Sequence, residues 1–179
     1  MDSYQKILTV FFIVIIAACV TTPISNKSAF IMIPIRQEIA LGKQAYNQIL
    51  KEEEDSTDRE TTNLVKQIGL RLAKVSAMPN LNWEFHLIKS EQQNAFALPG
   101  GKVAVYTGLL PVAMNEAGLA TVMSHEIAHV IARHGAQRMS RQLLLTAGLM
   151  ATSISLKNTR QKKMIMAALG VGIVYGLSL

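Results

Sequence analysis

The stretch from His125 to His129 reads His-Glu-Ile-Ala-His, and it constrains this chain more than any other feature. On a helix, two residues four positions apart lie about one turn apart, so His125 and His129 share a face. Two imidazoles placed in this way can bind one Zn²⁺, and Glu126 can reach a water bound to that metal. The pattern predicts a metal site with His125 and His129 as ligands and Glu126 as the general base.

The same pattern also occurs by chance on helices that simply carry two solvent-facing histidines, so its surroundings must decide. Apolar residues recur around the motif, which predicts that its helix is buried. Ionisable side chains on a buried helix are costly unless they are paired or bind a metal. We therefore predict an active site here. The apolar positions are Leu119, Val122, Met123, Ile127, Val130 and Ile131.

Composition allows one domain of ordinary size, because the chain has 179 residues and half of them are hydrophobic. The formal charge of +6 is unevenly distributed, since no Asp or Glu follows Glu126. A basic segment can bind nucleic acid or anionic lipid. We interpret it as a solvated helix face and loop, with lipid contact as the second interpretation.

The amino terminus has the character of a lipoprotein signal. Lys6 precedes an apolar run over residues 7–20, which is too short for the about 20 residues of a membrane-spanning helix but suits a signal peptide. The run closes with Ile-Ala-Ala before Cys19, which resembles a bacterial lipobox. The alternative is an uncleaved signal anchor with an incidental cysteine.

These features predict a signal peptide at residues 1–18 and a lipidated Cys19 with a tether at residues 19–35. The predicted domain covers residues 36–179. The lipid on Cys19 would attach the chain to a membrane, with the outer membrane of a bacterial envelope as the expected location and the periplasm as the compartment it faces. Lipidation argues against a nucleic-acid partner.

Periodicity predicts the elements of the domain. Helical periods predict two helices, the second capped by Ser56 or Asp58, before the pattern changes to alternation over residues 83–88, 94–97 and 102–106. We predict that these three strands form a small antiparallel sheet beside the motif helix. An edge strand can pair with an extended peptide backbone, so protein substrates fit this layout better than small molecules.

A further helix is predicted from about Gln137 to Leu156. The apolar run over residues 164–179 is slightly short for a membrane span. We predict a core helix there, with a membrane-associated helix as the second interpretation.

Five short motifs follow one another along the chain, at residues 37–42, 94–101, 105–110, 125–129 and 133–135. Together they resemble the membrane-associated zinc metallopeptidases related to the CaaX prenyl protease. Within that family they are most similar to the periplasmic lipoprotein proteases that police outer-membrane protein assembly. The likeness covers residues 36–179.

The resemblance implies a zincin-like fold of the α+β class, mainly helical, with one Zn²⁺ per subunit held by His125 and His129. It implies a zinc metalloendopeptidase that acts on misfolded or assembling membrane and periplasmic proteins, with the outer-membrane assembly machinery as a candidate partner. The residues that the resemblance assigns to substrate binding are Asn94, Ala95, Phe96 and Ala97.

The sequence departs from this family at the third zinc ligand, a glutamate in a downstream helix, because no acidic residue follows Glu126. Glu116 lies about 180° around the helix from His125, and His134 lies about 140° from His129. His86 would require the sheet to approach from an unusual side. We therefore predict a metallopeptidase domain that is incomplete at its carboxyl end.

Two other functions stay open at this point. A catalytically impaired homologue could bind unfolded outer-membrane proteins in a chaperone-like way through its edge strand. A membrane anchor or structural helix protein would account for the two apolar runs but would leave the ordered motifs unexplained.

Overall fold

The computed structural model of this chain describes Gln5 and residues 19–21 and 28–155. The chain divides into two compact units, Met1–Gln137 and Arg138–Leu179. Apart from Gln5, the predicted signal peptide lies outside the described residues, as does the apolar run at residues 164–179. Among the described helices, none combines the length and the hydropathy needed to cross a membrane.

The amino-terminal part contains a short ladder and two helices. Strands β1 (Cys19–Thr21) and β2 (Ser28–Phe30) pair antiparallel within the segment predicted as a tether. Helix α1 (Ile35–Glu52) follows, and then α2 (Arg59–Val75). Of the two predicted caps for α2 it is Asp58 that serves, since its carboxylate accepts a hydrogen bond from the Thr61 N–H at 3.1 Å.

Three strands form a mixed sheet, namely β3 (Glu84–Ile88), β4 (Ala95–Leu98) and β5 (Lys102–Tyr106), in the order β3-β5-β4. Strand β4 runs antiparallel to β5, but β3 runs parallel to it. The predicted all-antiparallel sheet was therefore wrong. Alternation of side chains identifies a strand, but it carries no information about the direction of the strand's neighbour.

A tight turn joins β4 to β5, and it depends on two glycines. Gly100 and Gly101 have φ angles of 87° and 79°, in the left-handed region that other residues rarely adopt. The turn sets the antiparallel register in which Ala97 faces Val103. It thereby makes β4 one edge of the described sheet.

The remaining elements lead to the motif. A 3₁₀ turn (Thr107–Leu109) and a single turn of helix α3 (Leu110–Ala113) connect β5 to the motif helix. Helix α4 (Glu116–Ile131) carries the motif, and the side chain of Asn115 caps it by accepting a hydrogen bond from the Gly118 N–H. Helix α5 (His134–Ser155) follows.

The main hydrophobic core lies between α2, the sheet and α4. Helix α2 packs closely on β3, because a Cβ at Gly69 would lie within 2.4–2.5 Å of the Phe85 ring. The buried side chains of this core include Val65, Ile68, Phe85, Val103, Val105, Met123 and Ile127. Helix α4 is thus anchored by one face, which leaves the other face available for chemistry.

Candidate metal and substrate site

Helix α4 is half-buried, whereas the sequence predicted a buried helix. Leu119, Met123, Ile127 and Ile131 line its buried face. His125 is exposed and Glu126 is half-buried, so the motif lies on the open side. The cost of burying ionisable groups therefore applies only in part, to the half-buried Glu126 and His129, and the case for a metal site must rest on geometry instead.

His125 and His129 converge through the same type of atom. Their Nε2 atoms are 2.9 Å apart, and the two rings are nearly perpendicular, at 88°. Two nitrogen ligands at about 2.0–2.1 Å from one tetrahedral zinc would lie about 3.3 Å apart. A small increase in the distance between the two Nε2 atoms would therefore allow both to bind one zinc ion, so the two predicted ligands fit this metal.

No third ligand accompanies them in the described part of the chain. Among the described residues no group of three or more His, Cys, Asp or Glu side chains could hold a metal. Glu116 lies at the first turn of α4 and pairs with Arg71. His86 lies on β3 and its Nδ1 contacts the Asp55 carboxylate at 3.3 Å.

His134 contacts the site, but not as a ligand. Its Nδ1 lies within hydrogen-bonding distance of Nδ1 of His129, and the ring centroids are 4.7 Å apart. That nitrogen of His129 is the one that does not face His125. His134 therefore lies behind the ligand ring rather than at the point where the two Nε2 atoms meet.

Glu126 lies between the histidines and the sheet. Burial raises the pKa of its carboxyl group above 4.5, while the nearby His125 and a backbone hydrogen bond from Ala97 act in the opposite direction. A carboxylate with a raised pKa is a stronger proton acceptor than an ordinary surface glutamate. This environment suits the general-base role predicted for Glu126.

Strand β4 turns one edge towards this carboxylate. The Tyr106 N–H donates to the Asn94 carbonyl, so residues 94, 96 and 98 direct their backbone groups towards β5. By the same alternation Ala95 and Ala97 direct theirs away from β5. The Ala97 backbone accordingly reaches Glu126.

Of the four residues predicted to bind substrate, Ala97 contacts Glu126 through its backbone, and the strand is shifted by one residue from the predicted one. Asn94 is exposed and precedes β4, and the strand itself ends at Leu98. The side chains of Ala95 and Ala97 pack towards the main core, and Phe96 packs with Tyr106 on the other face.

Close packing fixes the turn that ends β4. A Cβ at Gly42 of α1 would lie 2.0 Å from the Pro99 carbonyl oxygen, and one at Gly135 would lie 3.1 Å from Pro99 Cγ. Only glycine permits the approach at Gly42. The substrate strand is thus held at its turn by α1 and by the residue that follows His134.

A second contact missed by sequence reasoning holds the end of α4. Arg133, with a φ of 55°, donates from its guanidinium to the Glu38 carboxylate at 2.8 Å and to the Ile33 carbonyl at 3.1 Å. The Glu38 side chain is 5% exposed and the Arg133 side chain 14% exposed, so the pair is largely shielded from solvent. The only sequence signal was that residues 37–42 and 133–135 both belong to the motifs of the resemblance.

Cys19 is described only through its backbone, which pairs with Phe30. Its predicted lipidation stays a prediction.

Comparison with known proteins connects this site to a family. Residues 59–178 match the sequence profile of peptidase family M48. The chain is 40% identical over 121 residues to the mitochondrial metalloendopeptidase OMA1 of Schizosaccharomyces pombe, an alignment that covers 66% of this chain and 36% of the relative. It is 34% identical over 122 residues to the beta-barrel assembly-enhancing protease of Escherichia coli, covering 68% of this chain and 25% of that relative.

The corresponding OMA1 of Saccharomyces cerevisiae is 29% identical over 133 residues, which cover 66% of this chain and 39% of the relative. The matched region therefore spans about a quarter to two fifths of the length of these relatives.

Proposed function

The chain belongs to peptidase family M48, and we propose that α4 and β4 form the zinc-binding and peptide-binding parts of a metalloendopeptidase active site. The observation that carries the proposal is the convergence of the His125 and His129 Nε2 atoms at 2.9 Å, one residue from a half-buried glutamate. The third protein ligand that a catalytic zinc needs would come from outside the described residues.

A bound zinc would supply Lewis acidity towards the substrate carbonyl and an acidified water. Glu126 would hold at its carboxylate the proton released by an attacking water and would pass it to the leaving amine. Its raised pKa brings it closer to neutral pH, where a general base is most effective. The hydrogen bond from the Ala97 backbone keeps the carboxylate on the substrate-strand side of α4.

Strand β4 binds an extended peptide along its outward edge. The N–H and carbonyl of Ala95 and the carbonyl of Ala97 point away from β5, so a substrate strand can pair with them while its own carbonyl lies beside Glu126. Pairing through main-chain groups is tolerant of side-chain identity. This supports unfolded protein segments as the substrate class.

The biological substrates that we propose are misfolded or assembling proteins of a bacterial envelope. The support is the name of the Escherichia coli relative, a beta-barrel assembly-enhancing protease, together with the lipobox-like sequence at Cys19. Under this proposal the chain is a periplasm-facing lipoprotein in contact with the outer-membrane assembly machinery.

Cleavage of an unstructured protein in the presence of added zinc tests the proposal. We expect cleavage that a chelator abolishes and that Glu126→Gln and His125→Ala both remove. Ser124→Ala is the matched control, because Ser124 is exposed on the same helix and its hydroxyl bonds only the Thr121 carbonyl in the described contacts. Cleavage that survives in Glu126→Gln would overturn the assignment.

The outward edge of β4, which pairs with no other strand of the described sheet, also favours a second candidate, chaperone-like binding of unfolded outer-membrane proteins without cleavage. Main-chain pairing needs neither zinc nor an ionised Glu126. Peptide binding that persists in Glu126→Gln and after chelation, without cleavage by the unmodified chain, would support this alternative.

A further inference from the structure

His134 occupies an unusual place for a histidine that is not a ligand. It is the first residue of α5, it is exposed, and it follows the left-handed residue Arg133. Its ring lies against the ring of His129, at 61° and 4.7 Å between centroids. The contact joins Nδ1 of His134 to Nδ1 of His129.

The chemistry of a neutral imidazole gives this contact a consequence. The nitrogen that binds a metal must carry a lone pair, so a His129 ring that binds through Nε2 carries its proton on Nδ1. That N–H can donate to the unprotonated Nδ1 of His134, whose own proton is then on Nε2. Donation in this direction is the one that is compatible with a His129 ring whose Nε2 is free to accept.

We propose that His134 is a positioning residue that holds His129 in the tautomer and ring orientation required for metal binding. The inference rests on the proposed zinc site. Metal-bound histidines are generally oriented by a hydrogen bond at their second nitrogen, and loss of that partner typically weakens metal binding about 10- to 100-fold. Here the partner is another imidazole, provided by the next helix along the chain.

The backbone around His134 is fixed independently of its ring. Arg133 is tied to Glu38 and to the Ile33 carbonyl, and its N–H donates to the Val130 carbonyl. The His134 side chain itself is exposed, so it contributes little to the core. Replacing the ring should therefore change the site while the fold is retained.

Two substitutions of similar size separate hydrogen bonding from packing. In His134→Asn the amide oxygen can take the place of the imidazole Nδ1 as an acceptor, whereas His134→Leu has a similar shape but no acceptor. Zn²⁺ affinity is measured on the full chain by competition with a chelating dye. We expect about 10- to 100-fold weaker binding for His134→Leu, with affinity largely restored in His134→Asn.

The same pair of substitutions at His86 is the matched control. His86 contacts Asp55 and the Tyr46 ring and does not touch the motif histidines in the described contacts. Both His86 variants should bind Zn²⁺ as the unmodified chain does. Thermal unfolding of each variant without metal checks that the fold is retained.

Nitrogen-15 NMR of the imidazoles in the metal-free chain provides a readout that does not depend on zinc. The spectra are recorded at about pH 8, above the ordinary pKa of a free imidazole. His129 should then be protonated on Nδ1 in the unmodified chain and in His134→Asn. In His134→Leu the two tautomers of His129 should be mixed.

The outcomes distinguish the inference from the zinc site on which it rests. If the unmodified chain binds no Zn²⁺, or binds it equally well as His125→Ala, both proposals are overturned. If the unmodified chain binds Zn²⁺ through His125 and His134→Leu binds it equally well, the zinc site stands and the role of His134 is overturned.

Discussion

The two faces of α4 differ in exposure and in the kind of side chain that they present. The face with Leu119, Met123, Ile127 and Ile131 is buried against the core, whereas His125 is exposed and Glu126 half-buried on the other side. Because the buried face packs on the core, the helix is held in place, and the polar groups on its other face are held in place with it. A helix anchored in this way can keep two imidazoles converged without burying them.

The largest expected effect tests the open face. Glu126→Gln should lower peptide cleavage by about 10²- to 10⁴-fold, because the amide cannot accept the proton. Rates with an unstructured substrate and added zinc measure the effect, and circular dichroism shows whether the helices persist. A variant that loses its helices would contradict the separation of the two faces.

Substitutions on the buried face of α4 should instead lower the stability of the fold. Met123→Ala removes a side chain with 0% exposure and should cost about 2–5 kcal/mol of unfolding free energy in urea denaturation. Met114→Ala provides the same substitution at a residue that is 84% exposed, and it should change the stability by less than about 0.5 kcal/mol. Equal losses would show that α4 is not anchored by this face.

The ion pair at the end of α4 is expected to have an intermediate effect. Glu38→Ala leaves the buried Arg133 guanidinium without its counter-charge and should cost about 2–4 kcal/mol. In Glu116→Ala the broken pair is exposed at the other end of α4, so the loss should stay below about 1 kcal/mol. Chemical denaturation of both variants measures the difference. A Glu38→Ala variant as stable as Glu116→Ala would contradict the anchoring role.

The smallest effect concerns the pH dependence of stability. Burial raises the pKa of Glu126 in the folded state. As pH rises above 4.5, Glu126 therefore loses its proton in the unfolded chain before it does so in the folded chain, and the free energy of unfolding falls. Glu126→Gln has no such proton. The unfolding free energy of Glu126→Gln, minus that of the unmodified, metal-free chain, should therefore increase from pH 4 to pH 8. Unfolding free energies at both pH values check this, and a difference that decreases would contradict the raised pKa.

Local patterns in the sequence predicted much of the fold. The 3.6-residue period located α1, α2 and α4 because one face of each helix packs on the core, and alternation located the three strands. The spacing of His125 and His129 was sufficient to predict that their rings meet, since that geometry is set within a single helix turn.

Contacts between distant parts of the chain could not be predicted in the same way. The parallel pairing of β3 with β5 depends on how the chain returns to the sheet. The ion pair between Glu38 and Arg133 joins residues 95 positions apart. The contact between His129 and His134 requires the left-handed Arg133, whereas a continuous helix would have placed the two rings on different sides.

Zinc binding by the purified chain tests the central claim most directly. Titration with Zn²⁺ against a chelating dye should reveal one saturable site per chain, and His125→Ala and His129→Ala should each weaken it strongly. Binding that is absent, or that both alanine variants retain, would contradict the account that the open face of α4 is a metal site.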